Sequence, residues 1–342
     1  MTLLKHSNIF ENLISEIDLS FLKQGRILIC GGTGLVGGYL AAALAYGCRE
    51  QGVHLASKIL VTGRRRDHHL HNLEREGLLQ ITRIESILNG DARSKFSHTF
   101  HAASPASPNE YLDASTLHFL NHDILKKLVG ITSESFFYFS TGEVYGTQAP
   151  LAVDESHKGV ITSLATRAAY PISKIKGEQL LQGLAEGDKC SVKIMRLFHT
   201  FGPGVSPKDP RAFSTFLYQA VEDGTLRLRS SGSQVRSFLH LADTIRGISR
   251  ISTRSHHAGA EVFNVGSPIP VSIHTFADVV AELTKAQLTY QSQTDYELSP
   301  NNMLVPSVGK LQSLGWEQKI GLTESIQDVL TWLKLSQSEK QF

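Results

Sequence analysis

Arg26-Ile27-Leu28-Ile29-Cys30-Gly31-Gly32-Thr33-Gly34-Leu35-Val36-Gly37-Gly38-Tyr39-Leu40 runs an apolar strand straight into a glycine turn and opens an apolar helix behind it. Gly31, Gly34 and Gly37 follow the spacing G-x-x-G-x-x-G. The first glycine permits the tight turn, the second lets backbone approach a pyrophosphate, and the third lets helix and strand pack closely. A helix beginning there points unpaired N–H groups and its positive dipole end at phosphates. Strand and helix are both readable. The stretch therefore predicts a dinucleotide site built from Gly31, Thr33, Gly34, Leu35, Val36 and Gly37, against the plainer alternative of a structural glycine turn.

Working outward, apolar strands at 27–30, 58–62, 99–103 and 136–140 alternate with helical stretches near 37–47, 111–129 and 170–185. That alternation predicts an α/β fold with a doubly wound parallel sheet, helices lying on both faces. Ligands on such sheets bind at the carboxyl ends of the strands. After about residue 197 the texture changes: Gly202-Pro203-Gly204 and Pro207 to Pro210 punctuate a loop, a helix follows at 212–221, and prolines recur at 268, 270, 300 and 306. The expected organisation is an N-terminal helical extension (1–24), a dinucleotide-binding domain (25–198) and a smaller substrate-binding lobe (199–342), with some chain crossing between lobes.

A length of 342 residues suffices for a sizeable core, and 41% apolar with 19% charged residues fits a soluble globular chain. The formal charge of +2 argues against nucleic acid or an anionic membrane as the main partner. Cys30, Cys48 and Cys190 are far apart and form no metal or redox spacing, which suits a reducing compartment. Residues 1–24 carry acids and lack a signal-peptide pattern, while Leu13, Ile14, Ile17 and Leu22 predict an amphipathic helix against the body. No apolar run is long enough to span a bilayer, and the expected location is cytoplasmic.

Tyr170 and Lys174 form Y-x-x-x-K at a helix start, one turn apart on one face. An ammonium beside a phenol favours the phenolate, making the tyrosine a proton carrier near neutral pH. The lysine can also bind a ribose hydroxyl. Thr141 follows the strand that ends at Ser140, where its hydroxyl can reach a substrate carbonyl or alkoxide. Glu143 is either a general base, a ligand for sugar hydroxyls, or a solvated loop acid.

These pieces together resemble an extended short-chain dehydrogenase/reductase of the nucleotide-sugar epimerase/dehydratase/decarboxylase group, over nearly the whole chain. They come in the family's order: the glycine turn, Asp91, His101-Ala102-Ala103-Ser104, Ser140 to Gly146, Tyr170 with Lys174, Phe201-Gly202-Pro203, Gly232 to Phe238, and Phe263-Asn264-Val265-Gly266. The resemblance implies that Asp91 contacts adenine and that Ala102, Ala103 and Ser104 line the cofactor, Ser104 also facing substrate. It implies Thr141, Tyr170 and Lys174 as a catalytic triad, and Arg236 as the arginine that binds the substrate's diphosphate. The implied reaction is transient oxidation of a sugar hydroxyl, usually at C4, by a retained nicotinamide cofactor. The implied assembly is a homodimer through two helices per subunit.

The sequence also departs from the family. Sugar 4,6-dehydratases place an aspartate where this chain has Gly142, so epimerisation or decarboxylation is favoured over 4,6-dehydration. UDP-glucuronate decarboxylases use an arginine near a C-terminal Pro-rich segment, and Ser299 to Pro306 holds none. His199 stands where an asparagine is usual, facing the sugar diphosphate. After the second strand, Arg64 or Arg65 would accept the 2′-phosphate of NADP, the favoured reading; alternatively Asp67 folds back to the ribose of NAD, or the arginines are a solvated turn. An NADPH-dependent keto-sugar reductase of the same fold is the competing activity, and a binding protein without turnover is the third reading.

Overall fold

The computed structural model describes residues 4, 7–22, 25–53, 59–63, 68–90, 95–104, 114–146, 149–159, 161, 168–187, 190–255, 257, 259–290 and 303–339. Its strands, in chain order, are β1 (Ile27–Cys30), β2 (Ile59–Thr62), β3 (Gln80–Thr82), β4 (Phe96–His101), β5 (Thr132–Thr141), β6 (Ser191–Leu197) and β7 (His199–Phe201). Then follow β8 (Thr225–Leu228), β9 (Val235–His240), β10 (Ala260–Val265), β11 (Pro270–Ser272), β12 (Gln287–Tyr290) and β13 (Met303–Leu304). The helices are α1 (Asn8–Glu16), α2 (Leu35–Glu50), α3 (His68–Arg75), α4 (Ile84–Leu88), α5 (Ala114–His118) and α6 (Leu125–Gly130). They continue as α7 (Ala169–Ala185), α8 (Ala212–Glu222), α9 (Leu241–Ser252), α10 (Ile273–Thr284), α11 (Gly309–Gln312) and α12 (Leu322–Glu339).

Seven strands form one all-parallel sheet in the order β3-β2-β1-β4-β5-β6-β10. β1, β2 and β4 are buried along their whole length, as strands covered on both faces must be. In β5 the aromatic run pays off in packing: Phe137 stacks on Phe100 of β4 at 4.4 Å between ring centroids. The strand order reverses between β1 and β4, so a crevice opens outside their carboxyl ends.

α2 carries the apolar stretch Leu40 to Tyr46, entirely buried, and α1 packs over it. Phe10 meets Tyr39 and Tyr46 edge-on at 5.3 and 6.1 Å. The Gln51 amide donates to the carbonyls of Ile14 and Ile17 at 3.0 and 2.9 Å, satisfying orphan acceptors at the end of α1. Leu13, Ile14, Ile17 and Leu22 are all buried.

β9 is the centre of the smaller sheet, antiparallel to β11 and parallel to β7 and β13, while β8 pairs with β12. Beneath it Phe201, Phe213, Phe238 and Phe276 make an aromatic core with Val329 and Leu333 of α12. The chain then crosses back, and β10 joins the edge of the seven-stranded sheet beside β6.

Two sequence expectations are corrected. The strand expected at 99–103 is β4, which starts at Phe96 and ends at His101. The helix expected at 111–129 is broken, apart from 111–113, which lie outside the described residues: α5 runs into a π turn over Phe119–Asp123 and then α6. The Ile124 N–H reaches back five residues to the Phe119 carbonyl at 3.2 Å. The widened turn turns the Leu120 carbonyl to accept from His101 Nε2 at 2.7 Å and buries Asn121 completely. Among the described residues, no helix is long and apolar enough to cross a membrane.

Candidate active site

The glycine turn hangs from β2: the Thr62 carbonyl accepts from the N–H groups of Gly31 and Gly32 at 2.9 and 2.8 Å. Gly31 has φ of +84°, and a Cβ there would lie 2.6 Å from the Ala103 backbone. At Gly37 a Cβ would collide with the Gly31 carbonyl. Helix, turn and the 102–104 segment thus touch through bare backbone. α2 begins at Leu35 with Gly34 as its cap and no side-chain cap hydrogen bond. Its first-turn N–H groups face the crevice with the helix's positive end, the donor set that phosphates require. The residues present fit a dinucleotide. Arg64, Arg65, Asp67 and Asp91 lie outside the described residues.

A cleft opens at this crevice. Gly34, Leu35, Val36, Gly37, Ala102 and Ser104 line one side; Thr141, Glu143, Tyr170 and Lys174 line another; His199, Arg211 and Leu304 close it from the small-lobe side. Gly31, Thr33 and Ala103 belong to the adjoining turns. Thr141 ends β5 and caps a single 3₁₀ turn, its hydroxyl accepting the Glu143 N–H at 3.2 Å. α7 carries Pro171 in its first turn, where a missing N–H is tolerated. The same helix aligns Tyr170, Lys174 and Glu178 on its buried face.

Lys174 is almost fully buried, and its Nζ donates to the Phe139 carbonyl at 2.7 Å. The ammonium lies 4.7 Å from the Tyr138 ring centroid and 5.9 Å from that of Tyr170. Burial drives its pKa down to about 7, with Glu178 pulling in the opposite direction. Burial and the Glu143 carboxylate push the Tyr170 phenol well above its ordinary value, against smaller opposing effects of Arg211 and a hydrogen bond with Thr141. This runs against the expectation of a phenolate near neutral pH: burial of the phenol outweighs the neighbouring cation.

A buried polar layer stands behind these groups. Arg196 grips both oxygens of Glu178, Nε to Oε1 at 3.1 Å and Nη2 to Oε2 at 2.7 Å, and Ser140 donates to the same carboxylate. Arg196 also lies over the Tyr145 ring at 4.8 Å, and Tyr145 donates to Asn264 Oδ1 at 2.6 Å. On the other flank Tyr138 donates to Asn121, whose amide donates to Ser104 and Ser173, both at 3.1 Å.

His199 reaches the cleft, its Nδ1 buried with no hydrogen-bond partner among the described residues; burial and the charges of Arg236 and Arg211 hold the ring neutral. Arg236 does not line the cleft itself. It is buried, donates to the Val235 carbonyl at 2.9 Å and is drawn electrostatically to Glu143. At Gly142, a Cβ would lie 2.9 Å from the Phe198 ring, so the ring fills the place of a side chain at that position.

Sequence reasoning missed Arg211, Phe198 and Leu304. Arg211 is the cap residue of α8, paired through Nε at 2.9 Å to both oxygens of Asp209. A cation at a helix N-terminus runs against the macrodipole, and that conflict was the available signal. Phe198 and Leu304 carry no local signal.

Over residues 27–266 the sequence matches the family described as NAD dependent epimerase/dehydratase. Among curated proteins, UDP-glucuronic acid decarboxylase 2 of Arabidopsis thaliana is 28% identical over 321 residues, covering 91% of this chain and 69% of that protein. UDP-glucuronic acid decarboxylase 1 of Danio rerio is 28% identical over 340 residues, covering 93% and 78%. In fold, UDP-glucuronic acid 4-epimerase from Bacillus cereus, solved with UDP-glucuronic acid and NAD, matches with a TM-score of 0.76 at 21% identity, over 91% of this chain and 99% of that one. Epimerase Mth375 from Methanothermobacter thermautotrophicus matches with a TM-score of 0.78 at 19% identity, over 98% of each chain.

Proposed function

Because the chain belongs to the NAD dependent epimerase/dehydratase family, we propose that it transiently oxidises a nucleoside-diphosphate uronic acid at C4 and completes its cycle by epimerisation or decarboxylation. One observation carries the reading: Thr141, Tyr170 and Lys174 face the bare N-terminus of α2 across a single cleft. The recurrence of UDP-glucuronic acid in the names of the relatives supports the substrate class.

Gly31, Gly34, Leu35, Val36 and Gly37 would hold the pyrophosphate of NAD, with Ala102 and Ser104 beside the riboses. When bound, the nicotinamide supplies a reversible hydride acceptor. The chain's own residues supply the proton chemistry. Once the Tyr170–Lys174 pair has released one proton to solvent, Tyr170 Oη as phenolate takes the proton of the sugar hydroxyl while Thr141 Oγ1 holds the same oxygen, and the Lys174 ammonium stabilises that phenolate. Glu143 is placed to bind a sugar hydroxyl or to move a second proton. Arg211 at the cleft wall and Arg236 buried behind it would attract the diphosphate or the uronate, cationic groups being matched to those anions, and neutral His199 would offer a hydrogen bond. Gly142 brings no acid for expelling water, which supports the preference against 4,6-dehydration.

The comparisons do not favour the net reductase. The test is mass spectrometry of UDP-, dTDP-, GDP- and CDP-sugars, UDP-glucuronic acid first, incubated with purified protein and no added cofactor. Unchanged mass with altered retention identifies an epimerase, and loss of carbon dioxide a decarboxylase. No conversion of any sugar overturns the reading, and conversion only with added NADPH replaces it by the reductase. Parallel reconstitution with NAD and NADP measures what Arg64 and Arg65 contribute to cofactor choice. The homodimer, supported by the resemblance alone, is tested by light scattering.

A further inference from the structure

Away from the cleft, we propose that His118, His122 and Asp123 form a binding site for a divalent transition-metal ion, with zinc the best-matched candidate. The two imidazoles stack with centroids 4.7 Å apart. His118 Nε2 lies 3.1 Å from Asp123 Oδ1, and His122 Nδ1 lies 3.2 Å from the same oxygen. The candidate ligand atoms of all three residues lie within 4.8 Å of one another. A tetrahedral ion with bonds of about 2.0–2.2 Å to nitrogen and oxygen sets its ligand atoms about 3.3 Å apart. Two edges of the triangle already have about that length, and the third is no longer than 4.8 Å.

The backbone explains why the three meet. In an α-helix, residues i and i+4 share a face, but i+5 is carried round to the side. Here the turn over Phe119–Asp123 is π-helical, and its wider winding brings position i+5 back beneath position i. The histidine pair alone needs only a helix; adding the carboxylate needs this turn. All three side chains are accessible, 53%, 37% and 49% exposed, so an ion can enter and water can complete its shell. Imidazole with carboxylate suits zinc, nickel and copper better than magnesium or calcium.

The position gives an ion something to hold. The same turn presents the Leu120 carbonyl to His101 and the Asn121 side chain to Tyr138, Ser104 and Ser173. An ion clamping both ends of the turn stabilises the backbone that shapes one wall of the cleft.

The experiment is a zinc titration of the untagged full-length chain against a chromophoric chelator, repeated with His118→Ala, His122→Ala, Asp123→Asn and His71→Ala. The last variant controls for the separate histidine run His68-His69-Leu70-His71. The expected result is one saturable equivalent, weakened at least about tenfold by each of the first three changes, the low end of what even outer-shell changes cost a metal site. His71→Ala leaves it unchanged. Circular dichroism checks that the surface variants stay folded, and cobalt absorption in the wild type reports nitrogen ligation independently. No saturable binding, or an equivalent that keeps its affinity in His118→Ala and in His122→Ala, overturns the proposal and leaves adventitious binding only.

Discussion

Arg196 holds both carboxylate oxygens of Glu178, at 3.1 and 2.7 Å, so a single buried anion serves two cations: Arg196 directly, and Lys174 one helical turn away through its field. The consequence is electrostatic. Glu178 raises the Lys174 pKa while burial lowers it to about 7, so removing the carboxylate's charge lowers it further.

The Tyr170–Lys174 pair is expected to lose its first proton near pH 7, whichever of the two atoms carries the remaining one. The rate of proton abstraction should then rise with pH through that region and level off above it. In Glu178→Gln the rising limb should move to lower pH. A pH profile of kcat/KM checks both statements, and an unmoved limb would show that Glu178 serves Arg196 alone.

Tyr170→Phe keeps the buried ring and removes the hydroxyl. Turnover should fall by about 10²–10⁴-fold, the range for a positioned proton-transfer group. Bound NAD, measured after denaturation, should be unchanged. Retained activity would remove Tyr170 from the proposed chemistry.

At Gly142 an added Cβ meets the Phe198 ring at 2.9 Å. Gly142→Ala should cost about 1–3 kcal/mol as an overpacking change. Phe198→Ala in the same chain should recover part of that cost, a coupling expected only for residues in contact. Denaturant unfolding of the two single variants and the double variant measures it.

Gly31→Ala places a Cβ 2.6 Å from the Ala103 backbone at φ of +84°, a conformation and a space that only glycine meets. Copurifying cofactor should be lost before the global fold is, and absorbance of the purified protein after cofactor extraction checks it.

Arg236→Ala should raise KM by about 10–100-fold with a smaller change in kcat, corresponding to loss of one charged hydrogen bond of about 1.5–3 kcal/mol. Steady-state kinetics on the identified nucleotide sugar separates the two parameters.

The glycine turn and the Tyr170–Lys174 spacing are legible in the sequence because each lies within one element, where distance along the chain fixes distance in space. The strand and helix alternation is legible for the same reason. What escapes is set by contacts between distant segments. Phe198 at Gly142, Arg196 on Glu178 and Leu304 at the cleft wall each join parts of the chain that no periodicity links. The π turn is hidden differently: its sequence reads as continuous helix, and only the requirement that Leu120 and Asn121 satisfy buried partners breaks the register. The phenolate expectation failed because spacing reveals a nearby ammonium but not the loss of water around both groups.

The return of β10 to the edge of the large sheet has a consequence for synthesis. β6 emerges from the ribosome long before its outer neighbour, and the whole stretch between them must follow first. Until Ala260–Val265 arrives, β6 itself is the open parallel edge of the nascent sheet, the kind that recruits stray strands. Covering β6 demands a contact of long sequence separation, which is slow to form. Such a chain should complete its large sheet late, with β6 passing from edge strand to interior strand only once the last strand of that sheet has docked.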